Sequence, residues 1–375
     1  MKTSLYVHLP FCARKCAYCD FESYAGKLSE RDAYITRLLR EAEEAKKEYG
    51  TTGVPTVYFG GGTPSLLEPE QIKRLTDGLF SLFPPDGSAE ITMEANPGTV
   101  TAEKLKTMRQ CGINRLSMGV QSSDDRMLER IGRIHTFAQA REAVKMARDA
   151  GFENISCDLM YGLPEQTLDG VLRSAEDILL LEPKHISCYS LIAEENTPLG
   201  DAVLSGRTAV PDEDEVCAQQ NAVIELLAKR GFDRYEISNY ALPGFESRHN
   251  TVYWTGGSYL GLGCSAHSYM LGERFSNPRY ADYMRGIRHT DGERVDRAGR
   301  LEEKLLLETR LTRGLDLEEI RREYGAETKE KLVKACDELK GFAEIKDSRL
   351  LITTRGYEVH NEVAYRLIEA VETAD

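Results

Sequence analysis

The chain has 375 residues, with 48 Lys and Arg against 61 Asp and Glu, giving a formal net charge of −13. This negative balance argues against a nucleic-acid binder, which needs a basic surface to displace counterions. Mean hydropathy is −0.42, and no apolar run approaches the roughly 20 residues of a transmembrane helix. The nine cysteines are an odd number, and the N-terminus lacks an extended apolar region. Both features predict reduced thiols in a cytoplasmic protein.

The first 230 residues alternate between strand and helix patterns. Strands are predicted at Leu5–Leu9, Thr56–Phe59, Glu90–Glu94, Arg115–Val120, Ile155–Met160 and His185–Leu191. Helices are predicted at Arg31–Tyr49, Glu70–Phe83, Ala102–Cys111, Ala138–Ala150, Leu168–Leu181 and Glu213–Arg230. Six successive strand–helix units predict an α/β fold whose parallel strands form an incomplete (β/α)6 barrel.

The pattern divides the chain into three parts. We predict a barrel domain over residues 1–234, because the alternation ends there. Residues 235–297 are predicted to form a mixed segment of strands and loops, since much of it is rich in Gly, Ser, Asn and aromatic residues. Residues 298–375 are predicted to form a helical C-terminal domain.

The C-terminal domain has a winged-helix pattern. Its predicted elements are helices at Leu301–Thr312, Leu317–Tyr324 and Thr328–Leu339, strands at Ala343–Ile345 and Leu350–Thr353, and a last helix from Tyr357. Winged helices often bind DNA. Residues 301–375 carry 13 Lys and Arg against 18 Asp and Glu, however, so we predict a packing or lid module instead.

Three cysteines follow the first strand closely. Cys12, Cys16 and Cys19 form a C-x3-C-x2-C run. Three thiolates can hold one soft metal centre, and a four-iron cluster with three ligands keeps one iron open. A structural zinc site normally needs a fourth ligand from a second pair, and the other cysteines are scattered singly. We therefore favour an iron–sulfur cluster over zinc or inert core thiols.

Polar and glycine residues follow the next strands. Gly60–Pro64 follows the second strand, and glycines let a ligand approach the backbone closely. Glu94, Gln121 and Asp158 end the third, fourth and fifth strands. In a parallel barrel these positions share the carboxyl-end mouth, where ligands bind.

These features resemble the radical SAM superfamily. Its members hold a [4Fe-4S] cluster with three cysteines at this spacing, and S-adenosylmethionine (SAM) binds the fourth iron. The resemblance implies that Cys12, Cys16 and Cys19 are the cluster ligands. Glu94 is then expected to meet the amino group of the methionine end, and Asp158 the ribose hydroxyls.

Within the superfamily, the chain resembles the coproporphyrinogen-oxidase-like branch over nearly its whole length. The matching segments are Tyr6–Cys12, Gly60–Ser65, Asn114–Gln121, Asp158–Pro164 and Gly261–Gly263. The resemblance implies SAM contacts from Tyr6, Tyr18, Gly61, Gly62, Thr63, Glu94, Gln121, Arg133 and Asp158. From the sequence alone, Arg133 would be interpreted as a solvated charge.

Two features separate the subgroups of this branch. The decarboxylating oxidases carry a fourth cysteine two residues after the third, whereas this chain has Cys19-Asp20-Phe21. It carries instead an H-N-x-x-Y-W motif at His249–Trp254. This combination resembles the haem chaperones of the branch, and implies that haem is bound.

His249 is the haem ligand that this resemblance implies. Imidazole is a common axial ligand of haem iron, and Tyr253 and Trp254 offer flat apolar faces. In a helix, His249 and Tyr253 would share one face. Without the resemblance, a histidine in this context is more often hydrogen-bonded to the backbone. His267 is a second candidate ligand, for which a core histidine bonded to adjacent serines is the simpler interpretation.

Three functions fit these features. The first is a haem chaperone that binds haem and delivers it to an acceptor protein, using the cluster and SAM. The others are an oxygen-independent coproporphyrinogen III oxidase and a radical SAM enzyme for an unrelated substrate. The missing fourth cysteine and the H-N-x-x-Y-W motif favour the chaperone. A reductant such as flavodoxin or ferredoxin is also expected, peripheral membrane contact stays open, and no separate catalytic side chain is predicted.

Overall fold

A computed structural model describes residues 2–289 and 292–372. The strands are β1 (Ser4–Leu9), β2 (Phe11–Cys12), β3 (Tyr24–Ala25), β4 (Val54–Gly61), β5 (Pro85–Ala95), β6 (Arg115–Gln121), β7 (Asn154–Tyr161), β8 (His185–Ser190), β9 (Asp233–Glu236), β10 (Asn239–Ala241), β11 (Tyr259–Leu262), β12 (His267–Met270), β13 (Glu273–Ser276), β14 (Glu293–Arg294), β15 (Leu315–Asp316), β16 (Ala343–Lys346) and β17 (Arg349–Ile352).

The helices follow the same order along the chain. They are α1 (Arg31–Tyr49), α2 (Pro69–Leu82), α3 (Ala102–Gln110), α4 (Asp125–Arg130), α5 (Phe137–Asp149), α6 (Leu168–Leu179), α7 (Pro198–Leu204), α8 (Glu213–Lys229), α9 (Arg248–Trp254), α10 (Tyr280–Met284), α11 (Arg297–Glu308), α12 (Leu317–Tyr324), α13 (Ala326–Glu338), α14 (Thr354–Glu358) and α15 (His360–Glu372). Short 3-10 helices lie at Leu28–Glu30, Pro64–Leu66 and Pro97–Thr99. Among the described residues, no helix is long and apolar enough to cross a bilayer.

Six parallel strands form the centre of the molecule. Strands β1, β4, β5, β6, β7 and β8 lie side by side in that order and pair in parallel. This arrangement confirms the predicted α/β fold with an incomplete six-unit barrel. All six predicted strands and all six predicted helices are present, and the largest difference is β5, which begins five residues before the predicted Glu90.

Each barrel strand has an apolar outer face and a polar inner face. In β4, Val57 and Phe59 belong to the same buried hydrophobic core as Leu75 of α2. The alternate residues Thr56 and Tyr58 point inward, where both make side-chain hydrogen bonds. Because side chains along a strand alternate between its two faces, one face packs in the hydrophobic core and the other lines a polar barrel interior.

Residues 235–297 contribute strands to both edges of this sheet. β10 and β9 extend it beyond β8, and β11, parallel to β1, begins an extension through β12, β13 and β14. The prediction of strands and loops for this segment missed helices α9 and α10. Both have seven residues or fewer, too short to show a helical period. At the start of α9, the Ser247 side chain accepts a hydrogen bond from the Asn250 amide.

The C-terminal part has its own hydrophobic core. Leu305 of α11, Ile320 of α12, Leu332 of α13 and Leu350 of β17 pack in one cluster, beside a three-stranded sheet ordered β15-β17-β16. The predicted helices and strands are present, but α11 begins and ends four residues before the predicted Leu301–Thr312, and strand β15 was not predicted. The last helical stretch is divided into α14 and α15. The winged-helix assignment of this domain stays a prediction.

We predict that Tyr34 of α1 is required for stability at the junction of α1, β1 and the chain after β11. Its buried hydroxyl donates to the His8 carbonyl at 2.8 Å and accepts from the Cys264 amide at 2.9 Å. Tyr34→Phe leaves both groups buried without this partner, so the free energy of unfolding should fall by about 1–3 kcal/mol in urea titrations. The exposed Tyr365→Phe is the matched control, and equal stability of the two variants would contradict the prediction.

Candidate functional site

The three cysteines lie on a loop closed by backbone pairing. Cys12 ends β2, which pairs with β3, so the chain returns at Tyr24 after passing Cys16 and Cys19. The Cys19 amide donates to the Cys16 carbonyl at 3.3 Å. His8 of β1 is hydrogen-bonded through Nε2 to the Glu22 carbonyl at 2.8 Å and thereby holds the far end of the loop. His8 has no role among the residues predicted from the sequence, although it lies in the segment Tyr6–Cys12.

The surroundings of the thiols suit a cluster of soft ligands. The Thr63 hydroxyl donates to Cys12 Sγ at 3.8 Å, and Arg133 Nη1 donates to Cys16 Sγ at 3.6 Å. Burial raises the pKa of Cys12 and of Cys19, and the neighbouring Cys16 raises both further. A bound metal would offset this by favouring the thiolates. Across residues 2–289 and 292–372, no three His, Cys, Asp or Glu side chains form a group that could hold a metal ion.

Glu94 lies at the end of β5, directly beside the glycine turn that follows β4. Its Oε1 accepts from Tyr58 Oη at 2.8 Å, and its Oε2 accepts from the Gly61 amide at 3.2 Å. Gly61 has φ of 108°, and a Cβ there would lie 2.6 Å from the His8 ring. Burial raises the pKa of Glu94 to about 7, and the charge of Asp158 raises it as well.

Asp158 of β7 is a second, partly buried carboxylate at the same mouth. Ser117 of β6 donates to its Oδ1 at 3.4 Å. Burial raises the pKa of Asp158 to about 6, whereas the positive charges of Arg133 and Arg115 lower it. Two carboxylates that are both poorly solvated make this mouth a favourable place for a cationic ligand.

Arg133 connects the cysteine loop with the carboxyl ends of the strands. Its guanidinium donates to Asn96 Oδ1 and to the Gly119 carbonyl, as well as to Cys16. Arg133 is therefore held inside the site, and its interpretation as a solvated charge is wrong. Asn96 also donates to the Thr63 hydroxyl at 2.9 Å. Asn96 was not predicted as a site residue, although it is polar and follows Glu94 by two positions.

The remaining predicted SAM residues lie around this mouth. Gln121 is buried with φ of 71° and accepts from Tyr189 Oη at 3.1 Å. The Tyr6 ring stacks on Tyr58 with centroids 6.2 Å apart. Tyr18 is close enough to Arg133 and Asp158 for their charges to act on its hydroxyl. The Gly62 amide donates to the Leu9 carbonyl at 2.9 Å, which holds the glycine turn against β1.

His249 lies in a different environment from the one that the sequence suggests. It packs inside the barrel against β4 with 1% of its surface exposed, and both ring nitrogens are hydrogen-bonded to hydroxyls, one from Thr56 and one from Tyr253. In this arrangement neither nitrogen is free to bind haem iron. His267, interpreted from the sequence as a core histidine, is exposed at the start of β12. That interpretation is wrong.

An aromatic cleft of about 390 Å³ lies on the outer side of α9. We call it the α9–α11 cleft; it is lined by Tyr253, Trp254, Gly256, Gly257, Tyr259, Tyr269, Arg274, Glu303, Leu306 and Leu307. Tyr253 and Tyr259 meet edge to face with ring centroids 4.7 Å apart. Arg310 lies 4.4 Å above the Trp254 ring. The volume falls within the usual range for small-molecule sites.

The fold and the three-cysteine loop define a radical SAM protein. Residues 6–178 match the Radical SAM superfamily. The solved structure of coproporphyrinogen III oxidase (HemN) from Escherichia coli is similar in fold, with a TM-score of 0.85 over 98% of this chain and 90% of that chain, at 22% sequence identity.

The similarity to curated proteins is closer and covers most of the chain. The haem chaperone HemW of Bacillus subtilis (strain 168) is 36% identical over 369 residues, covering 96% of this chain and 97% of that protein. HemW of Escherichia coli (strain K12) is 41% identical over 265 residues, covering 70% of this chain and 69% of that protein. The chain belongs to the HemW family of haem chaperones within the radical SAM superfamily.

Proposed function

We propose that this chain binds haem and delivers it to an acceptor protein, with a [4Fe-4S] cluster and SAM as cofactors. The observation that carries the proposal is its similarity to HemW of Bacillus subtilis over 96% of its length. The decarboxylating oxidases carry a fourth cysteine two residues after the third, whereas this chain has Phe21 at that position. This difference also supports the proposal. The likeness to HemN at 22% identity concerns the fold alone.

Cys12, Cys16 and Cys19 are the proposed cluster ligands. Thiolates suit iron–sulfur clusters, and the three thiols share one short loop. Thr63 and Arg133 donate hydrogen bonds to sulfur atoms of this set. Such bonds stabilise thiolate charge and tune the cluster. When bound, the cluster and SAM supply the one-electron chemistry, and the chain supplies position and shelter from water.

Glu94 and the glycine turn are the proposed site for the methionine end of SAM. The carboxylate is fixed by Tyr58 and by the Gly61 amide, so it does not need to reorganise when an amino group arrives. Asp158 is the proposed acceptor for the ribose hydroxyls. The full set of proposed SAM contacts is Tyr6, Tyr18, Gly61, Gly62, Thr63, Glu94, Gln121, Arg133 and Asp158.

The α9–α11 cleft is the proposed binding surface for the haem macrocycle. Its lining is mainly aromatic and aliphatic, which suits a flat apolar ring. Trp254, the one tryptophan of the chain, has the largest aromatic ring among the residues that line the cleft. His249 remains the axial ligand predicted from the sequence, and ligation would require its ring to leave the hydroxyl of Tyr253.

Several parts of the proposal concern the protein's surroundings. The haem acceptor is a protein that the chain must recognise, and a flavodoxin or ferredoxin is the proposed source of electrons. A cytoplasmic location is proposed because all nine cysteines are unpaired. The second candidate function is the oxidative decarboxylation of coproporphyrinogen III, which the resemblance of the sequence to the coproporphyrinogen-oxidase-like branch leaves open.

For the cluster, we predict that Cys12→Ala, Cys16→Ala and Cys19→Ala each abolish cluster retention after anaerobic reconstitution. Each change removes one of three ligands, and two thiolates cannot hold the cluster stably. Iron content and visible absorption are the measurements. Cys336→Ala, which changes a buried cysteine of the C-terminal core, is the control and should keep its iron. A Cys12→Ala protein with the full iron content would overturn the assignment.

For SAM, we predict that Glu94→Gln lowers the equilibrium affinity by about ten- to hundredfold, or about 1.5–3 kcal/mol. Only the charged carboxylate pairs strongly with an amino group, and burial raises the pKa of Glu94 to about 7. Affinity should therefore rise between pH 6 and pH 8 in the parent protein, and rise less in the variant. Equilibrium dialysis of reconstituted protein measures both. The exposed Glu165→Gln is the control, and equal affinities of Glu94→Gln and the parent would contradict this role.

For haem, we predict that the reconstituted chain binds one haem and leaves coproporphyrinogen III unchanged. Trp254→Ala should weaken haem binding about tenfold, because it removes contact area but no bond to iron. The measurements are a Soret titration and a product assay on the same preparation, with Tyr365→Ala as a control on an exposed face of α15. Decarboxylation of coproporphyrinogen III without any haem binding would favour the oxidase instead.

A further inference from the structure

His249 of the H-N-x-x-Y-W motif packs directly behind the proposed SAM site. Its imidazole stacks on the Tyr58 ring, with centroids 5.1 Å apart and an angle of 26° between the planes. Nδ1 lies 2.7 Å from Thr56 Oγ1, and Nε2 lies 2.8 Å from Tyr253 Oη. Burial and the charge of Arg115 lower the pKa of His249 to about 3, so the ring is neutral at physiological pH. A neutral imidazole has one donor and one acceptor, and both are used here.

Tyr58 contacts both the His249 ring and the Glu94 carboxylate. The Tyr58 ring makes stacking contacts with both His249 and Tyr6. Its hydroxyl donates to Glu94 Oε1 at 2.8 Å. The orientation of the Glu94 carboxylate therefore depends on where the Tyr58 ring sits, and the His249 imidazole forms one wall of that position.

The backbone of α9 is attached to the strand that carries Glu94. The amides of Arg248 and His249 donate to the Glu90 carboxylate at 3.2 and 3.0 Å. Glu90 and Glu94 both lie on β5, four residues apart and therefore on the same face of the strand. These backbone bonds do not involve the His249 side chain, so a substitution at His249 leaves the helix anchored while removing the imidazole.

We propose that His249 is a positioning residue for SAM binding: it holds the Tyr58 ring that orients the Glu94 carboxylate. The inference rests on the proposed role of Glu94. Removing the imidazole opens a space beside Tyr58 and leaves the hydroxyls of Thr56 and Tyr253 without this partner. The Tyr58 ring can then shift, and Glu94 loses a fixed donor. This role differs from axial ligation of haem. Positioning predicts that His249→Ala weakens SAM binding, whereas axial ligation predicts a changed haem spectrum with unchanged SAM affinity.

The test compares SAM binding by anaerobically reconstituted protein with and without the imidazole. We expect His249→Ala to weaken SAM binding about five- to tenfold in equilibrium dialysis, with full iron content. His249→Gln keeps one donor and one acceptor and should bind SAM within about threefold of the parent protein. His360→Ala is the matched control, because His360 is also buried and hydrogen-bonded to a threonine, Thr309, but lies in the C-terminal core. Its SAM affinity should equal that of the parent protein.

A double variant separates positioning from a general loss of structure. If His249 acts through Glu94, the protein with both His249→Ala and Glu94→Gln binds SAM no more weakly than Glu94→Gln alone. Losses that multiply would overturn the proposal. The change that SAM causes in the electron paramagnetic resonance spectrum of the reduced cluster gives a second readout. It should be altered in His249→Ala and restored in His249→Gln.

The outcomes also distinguish this inference from the proposed function. If Glu94→Gln binds SAM with unchanged affinity, the assignment of Glu94 fails, and the positioning role, which acts through Glu94, is overturned with it. If Glu94→Gln weakens binding and His249→Ala does not, only the positioning role is overturned. Loss of the histidine signature in the haem spectrum of His249→Ala, with unchanged SAM affinity, would establish axial ligation and overturn the positioning role.

Discussion

The desolvation of two carboxylates at the barrel mouth is the constraint on which the rest of the site depends. Burial raises the pKa of Glu94 to about 7 and that of Asp158 to about 6, and the charge of Asp158 adds to the cost at Glu94. Each carboxylate is held by donors from neighbouring strands, Tyr58 and Ser117 among them. A cationic ligand would supply positive charge beside these two carboxylates. The burial that destabilises the free carboxylates would therefore favour binding of such a ligand.

The barrel explains which parts of the site could be predicted. Buried parallel strands give short apolar runs, and their carboxyl ends converge, so Glu94 and Asp158 could be placed at one mouth from their positions alone. The cysteine loop is local, with its three thiols within eight residues. Contacts between segments distant in the sequence could not be predicted. His249 and Thr56 are 193 positions apart, and Arg133 and Asn96 are 37 positions apart. A single sequence contains no signal for such pairs.

The H-N-x-x-Y-W motif shows why a motif's position in the chain is a poor guide to its position in the fold. Its residues lie after the six strand–helix units, in the segment predicted to be separate from the barrel domain. In the structure, β11 pairs with β1, and α9, just before β11, packs against β4. The motif therefore becomes part of the barrel interior. Its helix was missed because seven residues are too few to show the spacing of apolar residues that is typical of a helix. Ser247 is a residue type that commonly caps helices, but one such residue does not by itself predict a helix.

Helix α9 has two faces with different neighbours, and this links the two proposed ligand sites. The inner face presents His249 to Tyr58, beside Glu94, whereas the outer face presents Trp254 to the α9–α11 cleft. Tyr253 takes part in both, because its hydroxyl bonds to His249 and its ring lines the cleft. A ligand that moves Tyr253 in the cleft must disturb the contact that holds His249. If SAM binds at Glu94 and haem binds in the cleft, as proposed, thermodynamic linkage requires each to change the affinity for the other by the same factor. If the chain both holds and releases haem, as proposed, Tyr253 is the one side chain that belongs to both sites and could connect them.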